Sequence, residues 1–336
     1  MKLKKFSPKQ IYYEPEALNY NLGKYLMNKY SEIPWTPIDN HNNIPLFRKQ
    51  PNSEFAKMKQ NIIVGVRKTH RYTVNHKISD YLVPYTSSGC TASCLYCYLI
   101  CSYNKCSYLR LFVNREKMLD RLINVSNKTE IPSTFEIGSN SDLVLENTIT
   151  NNLPWTIENF AKEGRGFLTF PTKFDMVDSL LTLEHKEKTI IRMSVNPDEI
   201  IRKVEFGTSD LQNRIKAINK LSEAGYPVGI LIAFVIMITN WKDLYTELLD
   251  ILECTLSEKI KNSISVEVIF MTYSYVHKMI NAEAFPRALS LFDKELMTSC
   301  GRGKYYYKKD VRDHSADFLR NEIFKRFPGA KIVYIV

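Results

Sequence analysis

Cys90-Thr-Ala-Ser-Cys94-Leu-Tyr-Cys97-Tyr98 places three thiols within eight residues, directly after Thr86-Ser87-Ser88-Gly89. Three neighbouring thiols cannot pair among themselves, so a disulfide framework is excluded for this loop. A structural zinc normally takes four ligands in two paired half-sites, and no second Cys-x-x-Cys or matching His pair follows. Thiolates select iron–sulfur clusters or zinc. Three ligands on a four-iron cluster would leave one iron open to a non-protein ligand.

Such a loop needs a scaffold, and the pattern after Tyr81 supplies one. Apolar runs at Tyr81–Tyr85, Thr134–Gly138, Gly166–Phe170, Thr189–Ser194, Val228–Ile238 and Ser265–Phe270 read as about six strands. Helical patterns lie between them. One of these carries the stripe Leu211, Ile215, Ile218 and Leu221, a capping box at Ser209 and Gln212, and a stop at Gly225-Tyr-Pro227. Alternating strands and helices predict βαβ crossovers and a parallel sheet. The expected fold is α/β: a partial (β/α)6 TIM-like barrel, with chemistry beyond the C-terminal strand ends. Residues 1–80 read as an N-terminal cap, with a strand near Asn61–Val66 and loop over Ser31–Ser53. Residues 81–275 form the barrel. Residues 276–336 form a C-terminal extension with a basic aromatic hairpin, a helix over His314–Phe327 and a last strand over Lys331–Ile335.

Composition bounds the rest. A 44% hydrophobic content supports a sizeable core rather than disorder. The longest apolar stretch, Gly229–Ile238, is too short to span a bilayer, so no membrane is expected. Met1-Lys-Leu-Lys-Lys leads into no apolar segment, so no signal peptide is expected. Seven cysteines, five of them between Cys90 and Cys106, predict a reducing cytoplasm. Net charge +10 favours an acidic partner such as nucleic acid.

With an aromatic residue before its last cysteine, the loop resembles the radical S-adenosylmethionine (SAM) superfamily. The whole chain resembles one member of it, the spore photoproduct lyase family. Tyr13-Glu-Pro-Glu-Ala-Leu18, Leu22-Gly-Lys24, Ile63-Val-Gly-Val-Arg67 and Phe135-Glu136 carry the likeness. Ser141-Asp142, Arg192-Met-Ser-Val-Asn196, Gly207-Thr-Ser209, Ala224-Gly-Tyr226 and Gly303-Lys-Tyr305 continue it in order. The resemblance implies a [4Fe-4S] cluster on Cys90, Cys94 and Cys97. It implies SAM contacts at Ser141, Lys173, Ser194 and Ala233, with Asn196 close by. Lys173 would pair with the SAM carboxylate. The implied reaction is repair of the methylene-bridged thymine dimer of ultraviolet-damaged DNA through a 5′-deoxyadenosyl radical. Tyr96 and Tyr98 match family tyrosines that contact the lesion and relay hydrogen. The implied partners are double-stranded DNA carrying the lesion and an electron donor such as flavodoxin or ferredoxin.

Two departures stand out. The family's hydrogen-donor cysteine falls on Ser139, whose O–H bond is much stronger than a thiol S–H bond. Another cysteine could serve (Cys101, Cys106 or Cys300), Tyr98 could deliver the hydrogen directly, or the substrate could be a free nucleoside or other small molecule. Cys254 reads as core. Met297-Thr-Ser-Cys-Gly-Arg-Gly-Lys-Tyr305 keeps only the end of a longer family loop, with Ser299 at its arginine and Cys300 at the next tyrosine. Cys300 is therefore the preferred replacement donor. Arg302, Lys304, Lys308, Lys309 and Arg312 surround Tyr305, Tyr306 and Tyr307, a mixture suited to phosphates and stacked bases, with Arg302, Lys304 and Tyr305 the DNA contacts.

Overall fold

A computed structural model of the chain describes residues 6–102 and 108–336; the side chains of Cys101 and Ser102 also fall outside the description. The main sheet has eight strands. From one edge they run Thr73–Val74, Tyr81–Leu82, Thr134–Glu136, Phe167–Thr172, Thr189–Val195, Val228–Val235, Ser265–Phe270 and Lys331–Ile335. Every neighbouring pair is parallel except the first. The six expected strands are its inner members, in sequence order. An antiparallel hairpin strand and the C-terminal strand extend its edges.

The strands read as continuous apolar runs because helices cover the sheet. The helices Arg115–Lys128, Asn152–Glu163, Leu211–Glu223 and Trp241–Thr255 each bury one stripe. The principal core joins both layers through Phe135, Phe170, Ile191, Ile218, Ile230, Leu248 and Val268.

The Leu211–Glu223 stripe buries Leu211, Ile215, Ile218 and Leu221 as expected. Its cap differs: Asp210, not Ser209, accepts from the Asn213 N–H, at 2.9 Å. Ser209 turns away because its hydroxyl donates to Asp175 at 2.5 Å. Gly225 ends the helix with φ 91°, where a side chain would be strained.

A second sheet lies in the order Trp35–Pro37, Gln10–Tyr13, Asn61–Gly65, Leu109–Phe112, Ser87–Ser88. Only its last pairing is antiparallel. The Ser31–Ser53 stretch is thus not all loop: it contributes Trp35–Pro37 and the helical turn Pro45–Arg48. Glu14 fastens this sheet, accepting from the His41 N–H at 3.0 Å, His41 Nδ1 at 2.8 Å and the Val66 N–H at 2.8 Å.

In the C-terminal region Met297–Ser299 and Lys304–Tyr307 form the hairpin, and Thr272–Ser274 joins it as a third strand. The last helix begins at Lys309 rather than near His314 and runs to Arg326. No described helix is long and apolar enough to cross a membrane. Cys254 is exposed rather than core, because its helix buries Leu244, Leu248, Leu249 and Leu252 on another face.

Candidate active site

The cysteine loop is stitched to the barrel from three sides. Gly89 bridges Ser141, and its N–H donates to Asn140 O at 2.8 Å. Ser93–Cys94 pairs antiparallel with Glu205–Phe206, so Cys94 lies opposite Glu205. The Leu95 N–H donates to Val204 O at 3.0 Å. Upstream, buried Glu146 accepts from the hydroxyls of Ser87 at 2.6 Å and Thr86 at 2.9 Å.

Past the strand ends lies a cavity of about 490 Å³. Cys90, Cys94 and Cys97 line it, together with Ser141, Lys173, Ser194 and Ala233. Tyr96, Tyr98 and Ser139 also face it. Gly138 lets the segment after Thr134–Glu136 lie close to Phe170, since a Cβ there would stand 2.7 Å from the Phe170 Cβ. Asp142 fixes the next turn. Its carboxylate caps the helix Leu143–Thr150 and accepts from Thr172 Oγ1 and the Lys173 N–H, both at 2.9 Å.

Behind the cavity wall a buried charge network holds Lys173. Its Nζ donates to Ser194 Oγ at 2.6 Å, Ala233 O at 2.7 Å and Glu205 Oε1 at 3.0 Å. Glu205 also accepts from Arg214 Nη2 at 2.6 Å, Asn196 Nδ2 at 2.9 Å and the Tyr96 hydroxyl. Burial alone would push the Glu205 carboxyl up, but Lys173 and Arg214 outweigh it and hold the group at about 2. Burial and Glu205 push the Tyr96 phenol well above its ordinary value, so it stays a donor. Arg214 is wholly buried and donates also to Ser194 O, Thr208 Oγ1 and Ser209 O.

Asn196 does not line the cavity; it is buried between Glu205, Phe234 O and the Tyr245 hydroxyl. All three Lys173 protons have acceptors, so a ligand carboxylate that takes one of them displaces Ser194, Ala233 or Glu205. Glu205 and Arg214 were not anticipated from sequence. The available signal was Arg214 itself, a charge on the apolar face that Leu211, Ile215 and Ile218 define.

The donor set fits a thiolate-bound cluster. Burial pushes the Cys90 thiol up to about 12 and Cys94 well above its ordinary value. Such thiols ionise when iron supplies the compensating charge. The Ala92 N–H already points at Cys90 Sγ, 3.4 Å away. Among the described residues no three His, Cys, Asp or Glu converge as a single metal ion requires. A cluster does not need that convergence, because its thiolates bind separate irons.

The remaining candidates divide. Tyr98 is 46% exposed at the cavity. Cys300 is exposed at the hairpin turn and is not among the cavity-lining residues. The side chains of Cys101 and Cys106 lie outside the described residues. Arg302 and Lys304 are exposed on the hairpin. Tyr305 is half-buried against Phe292, with ring centroids 4.8 Å apart. Tyr307 does not belong to the basic surface: it is buried and accepts from the Met237 N–H at 3.0 Å.

A parallel half-barrel with three clustered cysteines beside its C-terminal strand ends defines a radical SAM enzyme. The family model described as spore photoproduct lyase matches residues 6–336, and the chain belongs to that family. A spore photoproduct lyase of Bacillus subtilis (strain 168) is 33% identical over 339 residues, covering 98% of each chain. Another, from Geobacillus sp. (strain Y412MC61), is 29% identical over 340 residues and covers 99% of each. A solved spore photoproduct lyase complexed with dinucleoside spore photoproduct superposes with TM-score 0.91 at 29% identity, covering 99% of this chain and 100% of that one. A substituted spore photoproduct lyase with bound AdoMet and dinucleoside spore photoproduct gives the same TM-score, identity and coverage.

Proposed function

We propose that this chain is a radical SAM lyase that opens the methylene-bridged thymine dimer of ultraviolet-damaged DNA. The observation that carries the reading is the shared cavity: the three cysteines, Lys173, Ser194 and Tyr98 all face one space. Cys90, Cys94 and Cys97 would hold a [4Fe-4S] cluster and leave one iron for SAM. Ser141, Lys173, Ser194 and Ala233 would hold SAM itself. Together the two cofactors supply one-electron chemistry able to take a hydrogen atom from carbon.

The chain's own residues have separate tasks in this reading. Glu205 fixes the Lys173 ammonium, and Lys173 in turn orients Ser194 Oγ and Ala233 O at the SAM wall. The Tyr96 hydroxyl is committed to Glu205, so Tyr96 positions the loop rather than reacting. Tyr334 lines the cavity too, but its hydroxyl donates to Glu267. Tyr98 lines it directly after Cys97, and we assign it the return of hydrogen to the product. Ser139 lines the same space but has too strong an O–H bond for that step. Arg302 and Lys304 would contact phosphates beside the lesion. A flavodoxin- or ferredoxin-type donor would deliver the electron.

The test is anaerobic reconstitution with iron and sulfide, reduction, and addition of SAM and dinucleoside spore photoproduct. Recovery of the two thymines as an unbridged dinucleoside is expected. Release of deoxyadenosine from SAM with the dimer untouched would overturn the substrate and favour a free nucleoside or other small molecule, the reading to which Ser139 lends support.

A further inference from the structure

Lys59 belongs to the N-terminal region yet is buried, with 3% of its surface exposed. Its ammonium donates to Cys90 O at 2.9 Å and Ala92 O at 2.7 Å. The short helix Phe55–Met58 delivers it, and Nζ stands 5.3 Å from the centre of the Phe55 ring. Phe55 and Met58 share a core with Ile100 and Ile280, against which Cys97 packs. The segment that carries Lys59 is therefore anchored to both ends of the cysteine loop.

Burying an ammonium is costly, and lysine is among the residues least often found inside a protein. Two carbonyl acceptors on residues 90 and 92 offset part of that cost and fix the backbone on either side of Thr91. A fixed cation beside a thiolate-bound cluster favours its more negative, reduced state, since cluster potentials follow local charge and hydrogen bonding.

We infer that Lys59 is a positioning residue for the cysteine loop, clamping the Cys90–Ala92 backbone and raising the reduction potential of the cluster bound there. The inference rests on the cluster reading above. Lys59→Met removes charge and clamp together, whereas Lys59→Arg keeps the charge.

The experiment compares reconstituted parent and variants by iron and sulfide content, far-ultraviolet circular dichroism and potentiometric titration followed by electron paramagnetic resonance. At a fixed applied potential, the reduced-to-oxidised ratio of Lys59→Met is expected to fall roughly tenfold, a midpoint lower by about 59 mV for a one-electron couple. Lys59→Arg is expected to stay close to the parent. A folded Lys59→Met chain that binds about half the parent's iron or less also bears the inference out, through the clamp. Parent-like iron content and parent-like potential in Lys59→Met overturn it. If Lys59→Met does not fold, Lys59→Gln replaces it in the comparison, with the same fall expected and the same parent-like result overturning the inference. A parent that takes up no iron and sulfide contradicts the cluster reading itself, a separate outcome.

Discussion

Glu205 lies directly opposite Cys94 in a two-residue antiparallel pairing, and its carboxylate meets the ammonium of Lys173 at 3.0 Å. One residue thus connects the backbone of the cysteine loop to the polar wall where SAM is proposed to bind. A buried charge with partners on two sides makes their separation rigid, which is the requirement for holding two cofactors in register.

Glu205→Gln leaves Lys173 and Arg214 facing each other across a neutral amide. Removing one partner from a buried ion pair costs about 3–5 kcal/mol. Denaturant unfolding should show a loss of that order, and SAM affinity measured by calorimetry should fall with it. Parent-like stability and affinity would show that the network is not what holds the wall.

Glu14 gives a prediction in pH. Burial opposes its ionisation, but the bonds from His41 and Val66 win and hold its carboxyl below the ordinary value of 4.5. A depressed carboxyl contributes stability above that ordinary value and loses it as pH falls below. Thermal unfolding of the parent should therefore drop more steeply below about pH 4.5 than that of Glu14→Gln. Identical slopes would remove Glu14 from the account.

Ser139→Cys places an S–H bond at the cavity. Completed repair per deoxyadenosine released should rise in that variant, measured by chromatography of both products. Ser139→Ala should match the parent. An equal rise in both would show that the effect is steric.

If Tyr98 returns the hydrogen, Tyr98→Phe should still release deoxyadenosine but yield roughly a tenth or less of the repaired dinucleoside, a loss in the range a single positioned group supplies. Undiminished repair would mean that another group donates.

Arg302→Ala and Lys304→Ala address the hairpin. Each should weaken duplex binding and flatten the dependence of log K on log salt by about one unit per lost phosphate contact. Unchanged salt dependence would place DNA elsewhere on the surface.

The barrel was legible in sequence because its parallel strands are buried on both faces and read as unbroken apolar runs. Cys90, Cys94 and Cys97 were legible because their spacing is local. Glu205 was not. It sits 9 residues from Arg214 and 32 from Lys173, and a carboxylate after Asp198–Val204 reads as ordinary solvated charge until those partners converge. Ser209 and Asp210 are both good cap residues, and the choice fell to Asp210 because Asp175, far away in sequence, claims the Ser209 hydroxyl. Tyr307 shares its pattern with Tyr305 and Tyr306, yet it is the one buried, its hydroxyl accepting from the Met237 N–H far away in sequence. Long-range partners decided each of these cases, and local pattern carries no record of them.

The proposed function requires joint occupancy, by SAM and the lesion, of the cavity bounded by the three cysteines and Lys173. Its most direct test uses dinucleoside spore photoproduct deuterated on the saturated ring of the lesion, with mass analysis of the deoxyadenosine formed in a single turnover. Deuterium carried into deoxyadenosine is the predicted result. Deoxyadenosine free of deuterium, formed while the dimer stays intact, would contradict the claim.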